Sequence, residues 1–209
     1  MSKQYARSMS AVAAAVLAAI LGVTPVLAAT LWTARPGGLI SMKSGKFVLK
    51  DTTTAQALTC QSSALSGTLK GGSGLPGTGI GSITTVGFTN CTSPLGFRFT
   101  LQARDLPWHL NFSSYNATTG VVTGSLSHLQ MKLSFPSCTA VIDGTSGTAS
   151  DGSVRVSYTN STGVLQTRTA GGNLHFYNVR GCAGLVVTGD SATISATSTV
   201  SPKQTITSP

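Results

Sequence analysis

The chain has 209 residues, a formal net charge of +9 and only 9% charged residues. Serine and threonine together number 57, glycine adds 24, and glutamate is absent, so the five acids are Asp51, Asp105, Asp143, Asp151 and Asp190. This composition excludes a helical bundle or coiled coil and leaves few carboxylates for acid–base chemistry, while 41% hydrophobic residues suffice for a packed core.

The chain opens with the order of a secretory signal. Lys3 and Arg7 precede an apolar run over residues 11–22, followed by Thr24-Pro25-Val26-Leu27-Ala28-Ala29. Small residues at 26 and 28 place cleavage after Ala28, with Ala29 the second choice. The run is too short and too rich in alanine to span a bilayer comfortably. It carries neither an adjacent arginine pair nor a nearby cysteine for lipid attachment. With no second long apolar run, the expectation is a secreted protein without a transmembrane segment. Residues 1–28 are the signal peptide and 29–209 a single domain. The mature portion then holds 12 basic and five acidic residues, a charge of +7. That balance suits anionic surroundings such as phospholipid headgroups, wall polymers or acidic glycans. The basic residues are scattered, so nothing points to nucleic acid.

Downstream, the dominant signal is period-two alternation. Phe97-Arg98-Phe99-Thr100-Leu101-Gln102-Ala103-Arg104 alternates apolar and polar, and Trp108-His109-Leu110-Asn111-Phe112-Ser113 repeats the pattern. So do Met131-Lys132-Leu133-Ser134-Phe135 and Val154-Arg155-Val156-Ser157-Tyr158. Alternation sends one face of each strand to a core and the other to water. Gly71-Gly72-Ser73-Gly74, Thr119-Gly120, Asp143-Gly144, Asp151-Gly152, Gly171-Gly172 and Gly189-Asp190 supply turns between the runs. The spacing predicts roughly ten to twelve strands in an all-β antiparallel barrel or sandwich. The tail over residues 201–209 reads as a free end or a last edge strand.

Four cysteines remain after cleavage: Cys60, Cys91, Cys138 and Cys182. An even count in an exported chain indicates two disulfides, and four cysteines allow three pairings. No CxxC spacing supports zinc. A loose repeat selects among the pairings. In each half a strand leads to Cys, then to Gly-Thr (Gly67-Thr68 and Gly144-Thr145), then through further strands to a second Cys. Duplicated halves at 45–105 and 125–200 give Cys60–Cys91 and Cys138–Cys182.

Candidate chemistry is sparse. Asp105 and His109 lie four apart, roughly 13 Å in a strand. Alternation puts Trp108 in the core and His109 at the surface, and it sets His175 opposite Leu174 and Phe176. His128 has no acidic neighbour. Neither HxH nor HExxH occurs, so no metal or cofactor is expected. No G-x-S-x-G turn is present, and the stretch from Asp143 to Gly152 shares only Asp and Gly with a calcium loop. Trp108, His109, Tyr115, His175 and Tyr177 are the candidate ligand-facing residues; Trp32 and Phe176 are further aromatics. Arg98, Thr100, Gln102 and Arg104 form a polar strip along one strand face.

Several stretches carry a family resemblance: Leu106-Pro107-Trp108-His109-Leu110-Asn111, Tyr115 with Thr119-Gly120-Val121-Val122-Thr123-Gly124, and Cys138 with Asp143-Gly144-Thr145. Tyr158-Thr159-Asn160-Ser161-Thr162, Asn178-Val179-Arg180-Gly181-Cys182-Ala183-Gly184 and the Ile206-Thr207-Ser208-Pro209 ending belong with them. Together the chain resembles a group of small exported actinobacterial proteins. The resemblance spans nearly all of the mature portion. It implies export and a shared domain, and it brings no activity, cofactor or catalytic residue.

The expectation is a secreted, disulfide-stabilised β-protein that binds without catalysis. Its ligand would be a lipid or small apolar molecule inside a barrel, or an anionic envelope component met by the Arg98–Arg104 strip. The alternatives are a secreted hydrolase assembled from Asp105, His109 or His175, and a structural component of the envelope or spore surface.

Overall fold

The computed structural model describes residues 31–209; the expected signal peptide and cleavage after Ala28 or Ala29 lie outside the described residues. Fourteen strands follow in order. They are β1 (Leu31–Arg35), β2 (Gly38–Asp51), β3 (Ala57–Leu69), β4 (Gly72–Pro76), β5 (Gly81–Thr92), β6 (Arg98–Arg104) and β7 (Trp108–Asn116). β8 (Val121–Ser134), β9 (Thr139–Asp143), β10 (Gly152–Thr159), β11 (Val164–Arg168), β12 (His175–Arg180), β13 (Ala192–Ser201) and β14 (Thr205–Thr207) complete the set.

Eleven strands form one antiparallel, ring-like sheet. β2 pairs β3, and β3 pairs β5 along almost its whole length. β6 and β7 then lie end to end along β8, with Thr100 opposite Ser134 and His109 opposite Ser127. β9 and β10 share the far edge of β8 in the same way. β11 continues from β10, β12 pairs β9, and β13 joins β11 to β2, which closes the circuit. Some neighbours around the ring are consecutive segments joined by turns, as β2–β3 and β10–β11 are, while β3–β5, β11–β13, β9–β12 and the closing β13–β2 pair join segments that are not consecutive. The barrel and sandwich alternatives resolve as a single ring-like sheet, with a separate three-stranded sheet of β14, β1 and β4. That small sheet sits where β2 begins and β3 and β13 end. It buries Trp32, Ala34 and Ile206 there, with the Trp32 ring 5.3 Å from that of Phe112.

The strands form where alternation predicted them. In β6, Phe99 and Leu101 are buried while Arg98, Thr100, Gln102 and Arg104 are exposed. In β7, Trp108, Leu110 and Phe112 point inward. The strand number exceeds the ten to twelve expected because three positions of the ring are broken by turns: 105–107, 144–151 and 169–174. Strands from both proposed halves contribute to the same ring, and the tail supplies the edge strand β14.

Both expected disulfides are present. Cys60–Cys91 joins residues directly opposite on β3 and β5, with Cα atoms 3.9 Å apart. Cys138–Cys182 ties the entrance of β9 to the exit of β12, with Cα atoms 4.4 Å apart. The centre of the ring is packed by side chains from all around it, among them Met42, Phe47, Trp108, Leu126, Met131, Val156 and Ile194. They leave a void of about 50 Å³, room for a water or two and far below the several hundred Å³ of an organic ligand site.

Candidate binding groove

The pairing of β5 with β6 and β7, on the side away from β3, is incomplete. β5 pairs β6 only at Cys91–Phe99 and Thr92–Arg98, and it pairs β7 only over residues 81–83. Along the outside of this seam runs an open groove of about 810 Å³. Its wall on β6 is Arg98, Thr100 and Gln102, the polar strip that period-two alternation turns outward. Its opposite wall is Gln61 on β3 and Asn90 on β5, and the Asn90 Nδ2 donates to Gln61 Oε1 at 2.9 Å. Asn90 lies at φ 49°, the left-handed region that asparagine tolerates better than most residues.

Aromatic rings line the groove between these walls. Phe88 is half-buried, packs 4.7 Å from Phe47, and borders both the groove and the internal void. Phe135, beyond the end of β8, packs in a tilted contact against the buried Phe99, ring centroids 5.2 Å apart. On β8 the outward neighbours of the strip are Ser134, whose carbonyl accepts from the Thr100 hydroxyl at 3.4 Å, and Lys132, opposite Gln102. Arg104 reaches back along the strip, its Nη2 donating to Gln102 Oε1 at 3.4 Å. No carboxylate lines the groove.

The five aspartates work elsewhere. Asp51 Oδ1 accepts the N–H groups of Thr53 and Thr54 at 2.8 and 2.9 Å, an Asx-type turn after β2. Asp143 accepts from Gly144 N, Ser150 N and Gln130 Nε2, and Asp151 accepts from the Ser146 hydroxyl. Asp105 accepts from the Ser150 hydroxyl. The stretch from Asp143 to Gly152 is therefore a loop whose carboxylates are spent on its own backbone and hydroxyls and on the Gln130 amide, and whose Ser150 is tied to Asp105. Among the described residues, Asp190 and the fully buried Asp51 each carry an Oδ2 without a hydrogen-bond partner. Burial first, and the Asp51 carboxylate beside it second, push the Asp190 carboxyl above its ordinary range.

The sequence-derived candidate residues fall at separate places. Trp108 is buried, its Nε1 donating to Arg104 O at 3.1 Å, and it lines the internal void. His109, on the opposite face of β7, has its ring centroid 4.4 Å from that of His128 in a tilted contact, and Tyr115 lies half-buried near the end of that strand. His175 and Tyr177 sit on β12 with ring centroids 6.3 Å apart. His175 Nδ1 bonds Asn173 O, and the Tyr177 hydroxyl donates to Gly144 O at 2.7 Å and Thr145 O at 3.0 Å. Burial, with Asp151 and Asp143 nearby, raises the Tyr177 pKa and keeps that hydroxyl a donor. Asp105, His109 and His175 are thus each engaged with other partners. Among the described residues no group of three or more His, Cys, Asp or Glu side chains converges as a metal site.

The groove's Gln61, Phe88, Asn90 and Phe135 were not singled out by sequence reasoning. They come from three different segments, and Asn90 stands out in the sequence only within an Asn-Cys-Thr triplet. No protein-family model, curated protein or solved structure matches this chain.

Proposed function

We propose that the protein is an exported binding protein whose groove along β6 takes an anionic, hydroxyl-rich polymer of the cell envelope. One observation carries this reading. Planar polar side chains (Arg98, Gln61, Asn90 and Gln102) surround the rings of Phe88 and Phe135 in an open groove with no carboxylate. Rings offer a flat apolar surface to the C–H faces of a sugar. Amides and guanidinium groups supply paired donors for vicinal hydroxyls or a carboxylate. Arg104 and Lys132 add positive charge beside the groove, which speeds encounter with a polyanion. The packed interior favours this outer surface over a lipid held inside the ring. The two disulfides are compatible with an oxidising compartment outside the cytoplasm.

The test is binding of residues 29–209, produced through an oxidising export route, to insoluble envelope material and to soluble acidic polysaccharides. Binding is expected at low salt and is expected to weaken as salt rises. Arg98→Gln is expected to reduce affinity about tenfold, the scale of one lost charge-assisted hydrogen bond. Salt-independent binding, or an Arg98→Gln protein that binds as well as the parent, would sink the reading. A bound lipid seen in native mass spectra and lost on solvent extraction would replace it with the carrier alternative.

A further inference from the structure

A second groove, of about 750 Å³, lies on the outer face where β7, β8, β10 and β11 run side by side. Arg155 on β10 and Arg168 on β11 stand directly opposite one another across the strand pair, and both are exposed. Cross-strand partners have Cβ atoms roughly 5 Å apart, and like charges placed so are destabilising. No acid offsets the pair: the groove lining contains no carboxylate. Asp51, Asp105, Asp143 and Asp151 are engaged with donors elsewhere.

The remaining lining is small and rich in hydroxyls, with Ser113, Thr123, Ser125 and Ser153 around the two long cations. Serine and threonine hydroxyls donate as readily as they accept. The Arg155 side chain lies over the turn at Gly171. Gly171 holds φ +83°, and a Cβ there would lie 2.3 Å from Arg155 Nε. Any side chain at 171 would both strain the turn and displace the guanidinium.

We propose that Arg155 and Arg168 form a binding site, separate from the β6 groove, for a tetrahedral oxyanion: a phosphate or sulfate group. Two guanidinium forks presented from adjacent strands match the several oxygens of such a group, and its charge relieves the repulsion that the pair creates. The hydroxyls around them complete the donor set.

The experiment titrates the mature protein with inorganic phosphate and inorganic sulfate at low ionic strength, followed by calorimetry and by the NMR signals of the arginine Nε–H groups. Phosphorylated and sulfated polysaccharides serve as second arms. Saturable binding that moves the Arg155 and Arg168 signals is expected, weakened at least tenfold in Arg155→Gln/Arg168→Gln and weakened in Gly171→Ala. Tighter binding of a polymer than of its free ion identifies a polymer-borne group; equal binding identifies the free ion. Arg98→Gln should leave these titrations unchanged, so failure of the β6 groove reading does not affect them. A ligand-free readout is added: Arg168→Gln should melt higher than the parent at low salt, with the difference fading at about 1 M salt. Sulfate and phosphate also stabilise proteins generally by exclusion from the surface. An identical response in the parent and the double Gln variant would therefore overturn the proposal.

Discussion

Asp190 and Asp51 lie 139 residues apart in the chain and meet through the pairing of β2 with the start of β13, where Ala192 is opposite Asp51. Two carboxylates in contact cannot both ionise without cost, and here burial adds to it. The Asp190 pKa is raised above 3.8, so the native state holds that proton more tightly than the unfolded chain. Its stabilisation is complete below the unfolded value and is lost as pH rises through the folded value. Urea unfolding of Asp190→Asn across pH is expected to show a more stable protein than the parent near pH 7, with the gain shrinking towards pH 4. A pH profile identical to the parent's would contradict the assignment. Nothing in the sequence brings these two residues together, since their contact depends on strand register over the whole length of the chain. The strip of Arg98, Thr100, Gln102 and Arg104 was legible for the opposite reason: one strand with period-two alternation sets which side chains share a face. The inward position of Trp108 and the outward one of His109 follow from the same local rule.

At the scale of elements, the two disulfides each clamp a pair of neighbouring strands. Cys60–Cys91 spans 31 residues and Cys138–Cys182 spans 44. Loop-closure entropy gives about 4 kcal/mol for each. Cys138→Ala/Cys182→Ala should lose about that much in denaturant unfolding. Its β9 and β12 amides should also exchange faster than those of β2 and β3, because short β12 is held by few pairs with β9. An unchanged midpoint would show that strand pairing alone holds that edge. The cysteine pairing was readable because an ordered repeat of Cys and Gly-Thr recurs along the chain. The strand count was not. Turns at 105–107, 144–151 and 169–174 interrupt positions of the ring without ending them, and only the common partner β8 shows that β6 and β7, or β9 and β10, lie in line.

Over the whole molecule, an antiparallel ring buries its apolar face towards its own centre and turns a hydroxyl-rich face outward. The void of about 50 Å³ leaves that centre filled, which is why the proposed recognition is placed on the outside. Sequence alternation alone does not separate a filled ring from a hollow one, because both require the same inward residues; side-chain volume around the full circuit decides it. The groove shared the same obstacle, since its walls come from β3, β5 and β6 and its far end from the residues after β8. The most direct measurement is NMR shift mapping of isotope-labelled protein spanning residues 29–209 during titration with an acidic oligosaccharide at low salt. The account expects the shifted signals to centre on Gln61, Phe88, Asn90, Arg98, Thr100 and Gln102, with the inward residues of β2 and β13 unmoved. Shifts centred on those inward residues, or no shifts at all at millimolar ligand, would contradict it.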